Sequence, residues 1–275
     1  MKKFIYAISA LAVMMAVGCS KEDVETPSPE YKLVVNMDKA SFGDDTRAVR
    51  TSWEDGDVVY VIFEGDLYDG ATAAKYLTLT YNNSSWTPTW VGTTAAEVAA
   101  KETKTLRAVY VNTPVTPDFW NNGQILSFAS ATQGVYVMGC NDGTYTVSGS
   151  TIALNIAMKH LCSQITVRGI DVAGNWTLSC NVLQAIMGGS LKNSNNVDVS
   201  VGDYNDPLTG FANADGVSFY AYYPAATSPS NLTFTLTNGT KTYTRSFTDK
   251  GGLKAGYAII MDGPDSGKWT EVVEE

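Results

Sequence analysis

Residues 231–247 read NLTFTLTNGTKTYTRSF, and this stretch decides the fold class. Leu232, Phe234 and Leu236 alternate with Thr233, Thr235 and Thr237, and the alternation resumes after Asn238 and Gly239. A period of two is that of a half-buried strand. Asn-Gly supplies the positive φ values that a type I′ turn needs. The spacing predicts a β-hairpin.

Similar runs lie on both sides of it. Up to residue 162 they are YKLVVNM at 31–37, DVVYVIF at 57–63, KYLTLTY at 75–81, LRAVYVN at 106–112 and TIALNIAM at 151–158. In the last of these Ile152, Leu154, Ile156 and Met158 alternate strictly. Beyond it come SQITVRGI at 163–170, WTLSC at 176–180, VSFYAYYP at 217–224 and AGYAIIM at 255–261. The only helical window is 94–105, rich in Ala, Glu and Lys, and it is long enough for one or two turns. Many short strands separated by turn signals predict an all-β chain of sandwiches. The strand-rich part is too long for one small sandwich, so two tandem β-sandwich domains are expected, at 31–162 and 163–275. No Pro/Gly linker separates them, and no fixed repeat appears.

The 275 residues carry a net charge of −9, and no basic stripe is present, so nucleic acid is a poor partner. Lys2 and Lys3 precede an uncharged apolar stretch at 4–17 that ends in Ala16, Val17, Gly18 and Cys19. That is a secretory signal, too short to span a membrane comfortably. Its end resembles the lipobox of bacterial lipoproteins, in which the signal is cut before the cysteine and the thiol is lipidated. Residues 1–18 are therefore expected to be a signal peptide, and 19–30 a lipidated tether that is charged, proline-bearing and extended. The tether resembles the acidic export signals of Bacteroidota surface lipoproteins, which implies the outer face of the cell outer membrane.

Catalytic chemistry has little to build on. His160 is the only histidine, and without a nucleophile elbow it reads as a structural residue at a strand end or domain junction. Cys140, Cys162 and Cys180 have neither a disulfide pattern nor zinc spacing and read as buried thiols, although one pair could bridge in the envelope. The acids cluster in turn-like stretches. NVDVSVGDYND at 196–206 could hold Ca²⁺ loosely, but its spacing is not diagnostic. No metal, cofactor or enzyme activity is expected. Trp86 and Trp90 in NNSSWTPTW, and Phe119 and Trp120 in TPDFWNNG, read as loop aromatics. They serve either as surface contacts to a glycan or protein, or as caps on the sandwich core.

Several segments in order resemble one family, the fimbrillin-like lipoproteins of Bacteroidota, which are subunits of type V pili. After the lipobox, tether and first strand come Thr46-Arg47-Ala48 and WEDGDVVYVIF at 53–63. KYLTLTYNNSSW at 75–86, MKHLCSQITVRGI at 158–170 and GGLKAGYAIIMDGPDSGKW at 251–269 follow. The resemblance covers nearly the whole chain after the signal. It implies two β-sandwich domains of transthyretin-like topology, outer-membrane anchoring, and assembly into fimbriae that act in cell adhesion.

It also bears on GDDTRAVRTSW at 43–53, which holds two of the five arginines. In polymerising members of the family, an arginine-specific protease cuts after the first strand. A strand from another pilus subunit then fills the vacated groove. The matching bond here is Arg47–Ala48, with Arg50 as a second position, and 31–37 would be the strand released. A second reading of the pair is neutralisation of Asp44, Asp45, Glu54 and Asp55 in a solvated loop. An alternative function for the whole chain is a glycan-binding surface lipoprotein of a polysaccharide-uptake system, using Trp86, Trp90 and Trp120.

Overall fold

A computed structural model describes residues 30–42, 52–67, 73–120, 125–192, 196–224, 231–248 and 253–273. The first half of the chain forms β1 (Lys32–Lys39), β2 (Val58–Phe63), β3 (Tyr76–Asn82), β4 (Ser85–Val91), helix α1 (Ala95–Ala100) and β5 (Thr105–Val111). It continues through β6 (Thr116–Trp120), β7 (Ile125–Ala129), β8 (Val137–Ser148) and β9 (Thr151–His160). The second half forms β10 (Ser163–Arg168), β11 (Thr177–Cys180), β12 (Gln184–Lys192), β13 (Val197–Tyr204), β14 (Leu208–Thr209) and β15 (Phe211–Asn213). The remaining strands are β16 (Gly216–Tyr222), β17 (Asn231–Thr237), β18 (Thr242–Thr248), β19 (Ala258–Asp262) and β20 (Thr270–Val272). The chain is all-β, as the alternation predicts, and α1 is the short helix expected. Thr94 and Glu97 close it with a reciprocal capping box.

The strands make three sheets. The first runs β1-β9-β8-β5-β2-β3-β4 and the third β14-β11-β17-β18-β20. Between them lies β19-β10-β16-β12-β7-β6, with β13 on β12 and β15 on β16. The first sheet packs on one part of this middle sheet around Val59, Val61, Leu77, Val109, Phe128, Ile186 and Leu191. The third packs on the rest around Ile165, Val167, Phe219, Leu232, Phe234 and Leu236. The result is two sandwiches with the middle sheet common to both, since β6 and β7 precede residue 163 while their neighbours follow it.

β12 makes the join. Its start pairs with β16 at Gln184 and Ala185, and its end pairs with β7 from Gly188 to Lys192. Register shifts between Gln184 and Gly188 turn the strand from one partner to the other. Gly188 sits at φ 143°, and a Cβ there would lie 2.0 Å from the Phe128 carbonyl oxygen. Only glycine permits that approach.

Three local expectations need correction. The β17–β18 hairpin forms, but its connection is the four residues 238–241, and only Gly239 there has positive φ. The Asn238 side chain accepts from the amides of Thr240 (3.0 Å) and Lys241 (2.9 Å), so an Asx-type turn replaces the type I′ turn. A two-residue turn with both φ positive occurs instead at Asn83 and Ser84, between β3 and β4. The supposed loops are strands. Trp86 and Trp90 lie on β4, Phe119 and Trp120 on β6, and the stretch considered for Ca²⁺ is mostly β13. Proline in β4 and β6 hid their strand character, and both edges tolerate it because the first and middle sheets end there.

Candidate functional site

The residues that carry chemistry do not converge on a cleft. Among the described residues, no group of three or more His, Cys, Asp or Glu is placed to hold a metal ion. Cys140, Cys162 and Cys180 are buried free thiols, and burial raises the thiol of each, Cys162 to about 12. Such groups are poor nucleophiles. His160 ends β9 with its ring buried.

Trp86 and Trp90 face inward, half-buried against the first core. Trp86 meets Trp53 and Tyr81 edge-on, each at 5.0 Å between centroids, and Trp90 stacks on Phe63 at 5.8 Å. The backbone of Trp120 pairs with Ile125, while its side chain lies outside the described residues. Cys19, Arg47, Ala48 and Arg50 also lie outside them.

Two edge strands pair in parallel, β1 on β9 and β19 on β10, and β1 is the one that precedes the arginine pair. It is an edge strand, and it runs parallel to β9 in unbroken register from Lys32 opposite Thr151 to Lys39 opposite Met158. The neighbouring strand pairs of this sheet are antiparallel. Leu33, Val35 and Met37 lie along the first core, yet each is only half-buried. On β9, by contrast, Ile152, Leu154, Ile156, Met158 and His160 are all buried. β1 therefore covers a finished apolar row rather than building one. Across the outer face, Asn36 donates from Nδ2 to Asn155 Oδ1 at 3.0 Å.

The strand is fastened at its C-terminal end. The Lys39 side chain is 1% exposed, with Nζ 3.7 Å from Asp57 Oδ2. It donates to the Ser52 carbonyl at 3.2 Å and lies 4.4 Å from the Trp53 ring centroid and 5.1 Å from that of Tyr110. Tyr110 Oη donates to the same Asp57 carboxylate at 2.7 Å. Three residues later Phe42 is fully buried. It stacks on His160 at 3.5 Å between centroids with 23° between planes, and it neighbours Tyr220 at 5.7 Å and Tyr136 at 6.4 Å. His160 Nε2 lies 3.0 Å from the Ala40 carbonyl oxygen and donates to it. Burial lowers the His160 pKa to about 3, the Ala40 hydrogen bond opposes this, and Lys39 lowers it further. The ring is neutral at physiological pH, consistent with a wedge between aromatic rings rather than a base.

At the other end of the chain, Trp269 is buried in the second core and donates from Nε1 to the Asp262 carbonyl at 2.8 Å. β20 then pairs antiparallel to β18 at the edge of the third sheet, with all three of its residues exposed. The segment 270–272 is thus paired within its own chain. Phe42 and Lys39 were not singled out by sequence reasoning. Lys39 continues the register of Leu33, Val35 and Met37 but is charged, and no sequence signal marks a residue such as Phe42 that plugs a core just beyond a strand.

No protein-family model matches the chain, and no curated protein matches it. Among solved structures, a candidate cell adhesion protein from Bacteroides ovatus is similar at 16% identity. The match covers 89% of this chain and 96% of that one, with a TM-score of 0.50. A fimbrial protein from Bacteroides ovatus matches at 11% identity over 85% of this chain and 48% of its own, with a TM-score of 0.42. The tip fimbrial protein Mfa3 from Porphyromonas gingivalis, with C-terminal truncation, matches at 11% identity over 84% of this chain and 93% of its own, with a TM-score of 0.34. The first likeness establishes a shared fold, and that fold agrees with the resemblance read from the sequence.

Proposed function

We propose that this chain is a fimbrillin-like lipoprotein of the cell surface, anchored in the outer membrane through Cys19. It would assemble into a fimbrium by exchange of its first strand and act in cell adhesion rather than catalysis. The observation that carries this reading is β1, a parallel edge strand laid over an apolar row that β9 completes without it. Loss of β1 would expose the unpaired N–H and C=O groups of β9, flanked by that row, and such an edge is a template for a strand from another chain. While β1 is in place, the same edge is covered. A cut at Arg47–Ala48 lies between β1 and β2, so one hydrolysis would separate the body from both its first strand and the lipid on Cys19.

The shared fold with an adhesion protein and the order of sequence motifs support the same role. Trp86 and Trp90 are half-buried against the core, which leaves the glycan-binding alternative less aromatic surface on β4 than loop positions would give. The test is treatment of the folded protein with an arginine-specific protease, followed by electron microscopy. One dominant cut after Arg47 and higher-order assemblies are expected. An intact 43–51 segment would refute maturation by a cut at Arg47, and a cut product that stays monomeric with a strand-donating subunit present would refute assembly by strand exchange.

A further inference from the structure

We infer that the seat of β1 has three distinct pockets that select the incoming strand by residue type, and that the aromatic pocket against His160 dominates the selection. This rests on the strand-exchange reading above and specifies the partner it requires.

The argument starts from what the present occupant does. Leu33, Val35 and Met37 touch the core only from its rim, each half-buried. Their contribution is the general one of an alternating strand. Lys39 and Phe42 are different in kind. The Lys39 ammonium is nearly withdrawn from solvent, between the Asp57 carboxylate, the Ser52 carbonyl and the faces of Trp53 and Tyr110. Phe42 is wholly buried between His160, Tyr136 and Tyr220. A strand that replaced β1 without filling these places would remove the Lys39 ammonium from beside Asp57 and leave an aromatic-lined hollow empty. The first loses a largely buried charge contact, and the second, which costs more, loses dispersion contacts as well as apolar burial.

The incoming segment therefore reads apolar-x-apolar-x-apolar-x-Lys-x-x-aromatic, the pattern of Leu33, Val35, Met37, Lys39 and Phe42. It enters parallel to β9, and its residue in the place of Ala40 offers its carbonyl to His160 Nε2. The partner is another subunit's extended segment of this chemistry. The same seat explains retention after a cut. The first strand stays in the nicked molecule until a segment able to fill all three pockets displaces it.

The test uses the full chain, folded and then nicked within 43–51. Where the arginine-specific enzyme leaves that segment whole, a chain carrying another protease's recognition sequence there supplies the nicked protein. Fluorescent peptides with the sequence of residues 30–42 are titrated against it, either unaltered or carrying Phe42→Ala or Lys39→Ala. Because the substitutions are in the peptide, the folding of the body is unaffected.

Saturable exchange of the unaltered peptide is expected, weakened about 100-fold or more by Phe42→Ala and about tenfold by Lys39→Ala. Binding of the Phe42→Ala peptide within about threefold of the unaltered one would overturn the aromatic selection while leaving strand exchange intact. Failure of the unaltered peptide to exchange at any concentration would overturn strand exchange itself, and this inference with it.

Discussion

At the scale of single residues, the contact between Phe42 and His160 joins the first strand to the body more firmly than the strand's own side chains do. Truncating a fully buried phenylalanine costs about 3–5 kcal/mol. Phe42→Ala is expected to lower the unfolding free energy by that amount, read as a shifted denaturant midpoint with an unchanged slope. His160 gives the protein a pH signature of known sign. Its pKa is about 3 in the folded chain and about 6.5 when unfolded. As pH falls through 6.5 the unfolded state takes a proton that the folded state refuses, so stability declines, and the decline continues until pH reaches about 3. Comparison of wild type with His160→Gln should isolate this loss, which is on the order of 3–5 kcal/mol across the window. Two curves that stay parallel would contradict the buried neutral ring. The lone histidine was legible as structural because no nucleophile elbow accompanies it. Phe42 was not, because one aromatic in a short turn carries no periodicity.

At the scale of elements, alternation identified the strands with one clean apolar face, among them β9, β10, β16, β17 and β18. It missed β4 and β6, where proline and exposed residues mask the pattern, and β12, where two glycines thin it. The hairpin at 231–248 was legible, but its turn type was not, because the Asn238 side chain competes for the backbone donors that would otherwise set the turn. β1 was legible as a strand, whereas its parallel pairing with β9 depends on contacts far apart in sequence. Its fastening makes a testable statement. Lys39→Met removes the cation beside Asp57, which keeps its hydrogen bond from Tyr110, so the cost is about 1.4 kcal/mol. Hydrogen exchange at the β1 amides should accelerate by about tenfold, while the amides of β17 keep their protection. Uniform acceleration across the chain would mean that β1 opens only with global unfolding.

At the scale of the whole molecule, the two sandwiches hold the middle sheet in common. β7 pairs with β12 across the division expected at residue 163, an association invisible to a reading that works run by run. The proposed lipid and the proposed cut belong to this scale too. Expressed with its signal in a Gram-negative host, the protein is expected to carry acyl chains on Cys19, read as the mass of its first tryptic peptide. Cys19→Ala should abolish that mass and release the protein from the membrane fraction. Release of the first strand would change the molecule from one whose β9 edge is covered to one whose edge is open. The most direct measurement is native mass spectrometry of the folded full-length chain after arginine-specific proteolysis. The account predicts cleavage at the single bond Arg47–Ala48, departure of the fragment ending at Arg47, and masses of two or more bodies joined by exchanged strands. A body that remains uncut, or that stays monomeric with its own first strand still seated on β9 when a strand-donating subunit is present, would contradict it.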